Sequence, residues 1–263
     1  MNPVYLLVFL VCMFASLVGN ICGIGGGIII KPTLDSLQIM TVASVSFLSG
    51  ITVLSMSLYS VARSFLSGHS VIRPILAVPL SVGAILGGIL GKQLFSVLLH
   101  SSSSPDKAGV FQSAVLFLLT LAALIYTWKK DKIRTRHFQG NIWCLTIGLL
   151  LGLISSFLGI GGGPLNLIFL SWFFSMETKE AAENSLFIIL FSQLSSLFLS
   201  LGTGDIPAFS PLLLAAMIVA ALTGAALGRL LNKRLDNASV DRLFAGMMGI
   251  ILVICARNIY LYL

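Results

Sequence analysis

Gly19-Asn20-Ile21-Cys22-Gly23-Ile24-Gly25-Gly26-Gly27 places four glycines in five positions inside an apolar run, and the pattern returns as Ser155-Ser156-Phe157-Leu158-Gly159-Ile160-Gly161-Gly162-Gly163-Pro164. Each glycine costs about 1 kcal/mol against alanine in a helix interior. A helix carrying either motif should therefore break there. The surrounding apolar runs, 3–30 and 140–175, exceed the roughly 20 residues of one bilayer crossing. Six further apolar runs lie at 40–62, 72–99, 107–128, 181–201, 207–231 and 238–261.

The composition agrees with lipid as solvent. Of 263 residues, 57% are hydrophobic and 10% charged, against about 25% charged in a soluble domain. In the bilayer every backbone amide must be satisfied within its segment, so the runs should be helices. The expectation is an all-α integral membrane protein, multi-pass in the cell membrane, with the lipid bilayer as partner. The net charge of +7 comes from basic residues between apolar segments. That is the pattern of membrane orientation, not of nucleic-acid binding. Cys12, Cys22, Cys144 and Cys255 show no CxxC spacing, which argues against a disulfide framework or a metal site. No cofactor motif is present.

Outward from the glycines, the chain repeats with a period near 136 residues. Ala43 and Ser46 match Ala182 and Ser185; Gly68 matches Gly204; Pro74 matches Pro211. Gly87, Gly91 and Lys92 match Gly224, Gly228 and Arg229. The division is a first membrane repeat at 1–128, a basic linker at 129–139 and a second repeat at 140–263, each repeat with four segments. Gly83, Gly87 and Gly91, like Ala220, Gly224 and Gly228, recur every fourth residue. Small residues at that spacing let helices approach closely.

A broken helix at membrane depth survives only where it is buried in protein or faces an aqueous cavity. Paired breaks in matching places of two halves point to a transporter substrate site, with half-helix N-termini aimed at an anionic group. Successive glycine amides also form anion-holding concavities. The competing phosphate-loop readings fail. Ile28 and Pro164 stand where Gly-x-Gly-x-x-Gly needs its last glycine, and no Gly-Lys-Ser/Thr follows. A packing corner that binds nothing stays open at this point.

Candidate ligands lie near the motifs. Asn20 and Ser156 flank the breaks, and Asn166 lies one turn beyond Gly163. Lys31, four residues beyond Gly27, either offsets substrate charge or snorkels to the headgroups. Ser46, Asn184, Ser185, Ser192 and Gln193 are cavity-lining candidates, although membrane serines often only bond the i−4 carbonyl. Glu183 is the best carboxylate for proton coupling. His69 and Asp205 occupy matching loop positions, where solvation is the commoner fate.

The repeated Gly-Ile-Gly-Gly-Gly, the later Ala-x-x-Ser, the length and the four-plus-four segments resemble the sulfite exporter TauE/SafE family over essentially the whole chain. The resemblance implies a transporter of small sulfur-containing anions such as sulfite, sulfoacetate or related organosulfonates. It carries the motif onto Gly23, Gly25, Gly26 and Gly27, and onto Gly159, Gly161, Gly162 and Gly163. The first half departs by having Lys31-Pro32 where the second has Leu167-Ile168, so the two halves need not contribute equally.

Charge distribution bears on topology. If all eight runs cross once, the sixteen Lys and Arg split evenly between the two sides. If each broken run turns back as a hairpin, each half crosses three times and the halves are inverted. The linker side then collects twelve: Arg63, Arg73, the five of 129–136, Lys179, Arg229, Lys233, Arg234 and Arg242. Lys31, Lys92, Lys107 and Arg257 remain opposite. The positive-inside rule favours re-entrant first segments, an inverted pseudo-twofold and a cytoplasmic linker.

The functional expectation is a secondary transporter of a small anion. An anion channel using the breaks as a filter is the alternative. An enzyme is disfavoured, because His-Glu-x-x-His, Gly-x-Ser-x-Gly and a paired Asp set are all missing. Homo-oligomerisation is left open.

Overall fold

The computed structural model describes residues 3–68, 70–101, 105–138, 140–160 and 162–262, with the side chains of 3, 99–101, 105–108, 131 and 262 outside the description. Gly161 and His69 therefore lie outside the described residues. The chain is all helical among those residues. The helices are α1 (Pro3–Cys22), α2 (Gly27–Leu37), α3 (Val42–Leu66), α4 (Pro74–Ser101), α5 (Pro105–Lys129), α6 (Asn141–Leu158), α7 (Pro164–Phe174), α8 (Thr178–Thr203), α9 (Pro211–Asn232) and α10 (Asn237–Tyr262). Five of them begin on proline, whose fixed φ suits the first helical position and whose missing N–H is not needed there.

Eight helices are long and apolar enough to cross a membrane; α2 and α7, at 11 residues each, are not. At 1.5 Å per residue each short helix is about 16 Å long, roughly half a hydrocarbon core. Apolar side chains both fill the core and face outward, and many polar side chains are buried among them. Leu10 and Phe14 of α1, Ile75 and Val82 of α4, Val219 and Leu230 of α9, and Val253 of α10 face outward. Ser49, Thr52, Ser57, Asn184 and Ser185 are fully buried. Lipid tails accept the first set, and hydrogen bonds between or within helices accept the second. Thr52, Ser55, Ser60 and Ser200 bond the carbonyl four residues back.

The helices exchange partners between halves. α4 lies against α6, α9 against α1, and α5 against α10. Glycines set the first two contacts. A Cβ on Gly83, Gly87 or Gly91 would overlap the carbonyl oxygen of Leu145, Leu149 or Leu153. A Cβ on Gly224 would overlap that of Met13. Gly148 and Gly152 of α6 meet Leu80 and Ala84 of α4 in the same way, so backbone touches backbone along the groove. Gly87→Val is expected to pry α4 from α6 and destabilise the fold by about 1–3 kcal/mol. Thermal unfolding in detergent measures it.

These contacts fix directions. α1 and α9 run parallel, with Tyr5 beside Ser210 and Leu17 beside Gly228. α3 and α8 run antiparallel, with Gly50 beside Gln193 and Ser64 bonded to Glu183. Beyond α1 the chain doubles back, because Gly26 lies against Ala15 and Ser16 of the same helix. Lys130, just after α5, meets Thr178 and Asp241, so the linker shares an end with the start of α8 and the start of α10.

Candidate functional site

The first break spans residues 23–26. Gly23 takes a left-handed conformation (φ +68), as does Gly25 (φ +67). Ile24 N–H closes the end of α1 on the Gly19 carbonyl at 3.1 Å. Gly23 also has no room for a side chain, since a Cβ would overlap the Cα of Ala182. Its carbonyl accepts a hydrogen bond from Ser185 Oγ at 2.5 Å. The Gly26 carbonyl receives the amides of Ile29 and Ile30 and starts α2.

The second break mirrors these features with different partners. Gly159 is left-handed (φ +64) and ends α6. Its carbonyl accepts from Ser49 Oγ at 3.3 Å. A Cβ there would lie 2.8 Å from Ser46 Oγ. Gly162 is also at positive φ (+119), Gly163 is extended, and the Asn166 amide bonds back to the Gly163 carbonyl.

The two breaks meet. A Cβ on Gly27 would overlap the carbonyl oxygen of Ile160, and one on Gly162 would come within 3.5 Å of the Ile24 carbonyl oxygen. Main chain of one motif thus lies against main chain of the other, in the interior of the bundle.

A cavity approaches this junction from each end. The linker-side cavity, about 260 Å³, is lined by Asn20, Ser60, Ser64, Ala182, Glu183 and Arg229, with Lys179 and Lys233 also on its wall. The opposite one is only about 30 Å³ and is lined by Ser46, Gly50, Lys92, Ser156, Gly159 and Gln193. Lys92 and Arg229 hold matching places after the small-residue grooves. Lys92 lies over the Phe95 ring at 5.7 Å. Arg229 bonds the Ser60 carbonyl and Ser67 Oγ. Three cations face one carboxylate on the larger cavity, and Lys92 is the charged residue on the smaller.

Most of the other residues singled out by sequence have definite places among the described residues. Asn20 is buried at the foot of the larger cavity and donates to Ser60 Oγ. Ser156 faces Ser192 at 3.5 Å on the smaller one. Ser46 Oγ and Gln193 Nε2 are buried without a hydrogen-bond partner among the described residues. Asn166 is buried on a separate apolar cavity beside Gly162 and Gly163. Asn184 uses its amide to hold the 71–73 segment, accepting from Arg73 N–H and donating to the Val71 carbonyl. Glu183 accepts from Ser64 Oγ at 2.7 Å and from Val71 N–H at 3.4 Å. Lys31 does not reach the membrane surface: it is 3% exposed and paired with Asp35 at 2.9 Å. Asp35 went unnoticed in the sequence, although its spacing of four from Lys31 is that of a helical ion pair.

Residues 8–254 match the family described as Sulfite exporter TauE/SafE. The chain belongs to that family. Among its relatives, "Probable membrane transporter protein YunE" of Bacillus subtilis is 23% identical over 247 residues, covering 87% of this chain and 88% of the relative. A "Probable membrane transporter protein" of Haemophilus influenzae is 26% identical over 209 residues, covering 73% and 72%. No solved structure matches this TauE/SafE protein significantly. It is a multi-pass membrane protein of a transporter family.

Proposed function

We propose that this protein is a secondary transporter of small anions, sulfite or organosulfonates among them, and that the two glycine breaks form its substrate site. The observation that carries the reading is the apposition of the breaks between two cation-bearing cavities that approach from opposite ends. Amides at Gly25, Gly26, Gly27, Gly162 and Gly163 would hold the anion, as helix-terminal N–H groups do. Ser46, Ser156, Ser185, Asn20 and Asn166 would shape the site around it.

In this reading α1–α2 and α6–α7 are re-entrant hairpins from opposite sides, and the halves are related by an inverted pseudo-twofold. The short lengths of α2 and α7, the doubling back at Gly26 and the reciprocal partners α4–α6 and α9–α1 support it. The inequality of the two cavities corresponds to one end state of alternating access, open toward the linker. One half rocking against the other would exchange the two volumes.

The test is thermal stabilisation by a panel of small anions, since a ligand that binds only the folded state raises apparent stability by mass action. Sulfite and small sulfonates are expected to raise the melting temperature saturably, and a flat response across the panel would refute the reading. Arg229→Gln should weaken that binding about tenfold, which is about 1.4 kcal/mol. The defect should shrink at high salt, as screening predicts for a half-exposed charge; isothermal titration at two ionic strengths measures it.

A further inference from the structure

The smaller cavity, at the second break, carries two polar side chains that the protein leaves unpaired. Ser46 and Gln193 both line it, 7% and 5% exposed. Neither Ser46 Oγ nor Gln193 Nε2 has a hydrogen-bond partner among the described residues. Buried polar groups left unpaired are costly, and as a rule they meet water or a ligand.

Both owe this position to a difference between the halves. Ser185, the counterpart of Ser46, spends its hydroxyl on the Gly23 carbonyl. At the second break Ser49 makes the matching bond to the Gly159 carbonyl. Ser46 stands beside Gly159 with its hydroxyl unspent. On the register that pairs Ser46 with Ser185, Gln193 answers to Leu54, so the first half has no such amide. Gly50 of α3 leaves the space for it: a Cβ there would come 3.1 Å from Gln193 Oε1.

The rest of the wall sets the kind of ligand. Its other polar side chains are Lys92, Ser156, Ser196 and Ser200, and each can donate a hydrogen bond. No carboxylate lines the cavity among the described residues. Lys92 rests over the Phe95 ring and belongs to none of the ion pairs among the described residues. Asp205 is within its electrostatic reach but outside the cavity lining. Donors gathered around one cation, with no acid among them, suit an oxyanion better than water, because hydrogen bonds to a charged acceptor are the stronger ones. Size sets the orientation. A water-sized group needs roughly 10–15 Å³. The cavity, at about 30 Å³, therefore takes two oxygen atoms and no carbon chain.

We propose that this cavity is the head-group clamp of the anion site. Gln193 Nε2 and Ser46 Oγ donate to two oxygens of a sulfite or sulfonate group, and Lys92 offsets its charge. The clamp presupposes the anion site proposed above and makes it asymmetric, because Leu54 gives the first half no equivalent. The anion enters oxygens first. Its third oxygen, and the organic arm where there is one, stay on the side of the glycine breaks.

The experiment uses the full chain in detergent, titrated calorimetrically with sulfite and with methanesulfonate, with ligand-free melting as the second readout. Gln193→Leu gives α8 the side chain that α3 carries at Leu54. It should raise the Kd for both anions at least tenfold. Because it removes an unpaired amide, the ligand-free melting temperature should hold or rise. Lys92→Gln should also raise the Kd at least tenfold. Ser46→Ala, the smallest change, should raise it at least fivefold and guards against misfolding of the others. Saturable wild-type binding that none of the three substitutions weakens would leave the anion site standing and overturn the clamp, with water as the partner of both donors. A ligand-free melting temperature that falls in Gln193→Leu and Ser46→Ala, with affinity intact in Lys92→Gln, would overturn it too, since the two donors would then hold the fold. A wild type that binds neither anion would overturn the anion site and the clamp with it.

Discussion

Gly23→Ala is expected to abolish substrate-dependent stabilisation and to lower stability by about 2–5 kcal/mol. Two effects add. A non-glycine residue in the left-handed region costs about 1–2 kcal/mol, and Gly23 has φ +68. The new methyl also overlaps the Cα of Ala182, and overpacking of this kind costs typically about 1–3 kcal/mol. Relief would push α8 away and break the bond from Ser185 Oγ to the Gly23 carbonyl. Gly68 supplies the control. It has the same φ of +68 but nothing within 4 Å of an added Cβ, so Gly68→Ala should show the strain alone, with ligand stabilisation intact. If both variants unfolded at the same temperature, the close approach of the first break to α8 would have no energetic weight. Melting curves with and without sulfite decide it.

Lys31→Leu is the second large effect. Removing one member of a buried ion pair is strongly destabilising, by about 3–5 kcal/mol. Adding Asp35→Ser should recover most of that loss, because replacing both partners of a buried pair with neutral residues is often nearly neutral. α7 already shows a half-helix built with Leu167 and Ser171 in these places. The expected signature is strong coupling in a double-mutant cycle read from chemical or thermal unfolding in detergent. A double variant as unstable as the sum of the singles would mean that the pair holds the fold and not merely each other.

Much of the architecture can be read from sequence because lipid imposes a simple rule. Backbone amides must pair locally, so each apolar run becomes a helix and each cluster of glycines within one becomes an end. That rule places α1, α2, α6 and α7 and the breaks between them. Proline marks further starts at Pro74, Pro105 and Pro211. What sequence leaves out is long-range. The contact of Gly27 with Ile160 joins residues far apart in the chain, and no local periodicity encodes it. Asn184 and Glu183 look like ligands in a linear reading, whereas their bonds to Arg73, Val71 and Ser64 appear only after α3 and α8 pair antiparallel. Lys31 illustrates the opposite case. Its partner was four residues away in plain view, but an isolated lysine near a helix end fits the headgroup region equally well until burial is known. Arg229 was legible as the residue after a small-residue groove; its place on the larger cavity wall follows only from the packing of α9 on α1.

In the proposed function, main chain unwound inside the bundle receives an anion that arrives from either side in turn. Counterflow in proteoliposomes tests it most directly: vesicles loaded with unlabelled sulfite or methanesulfonate are diluted into trace labelled substrate. Transient, saturable accumulation of label above equilibrium is expected, reduced at least tenfold in Gly23→Ala and preserved in Gly68→Ala. Label that never exceeds equilibrium, with flux that rises linearly with concentration or is absent altogether, would contradict it.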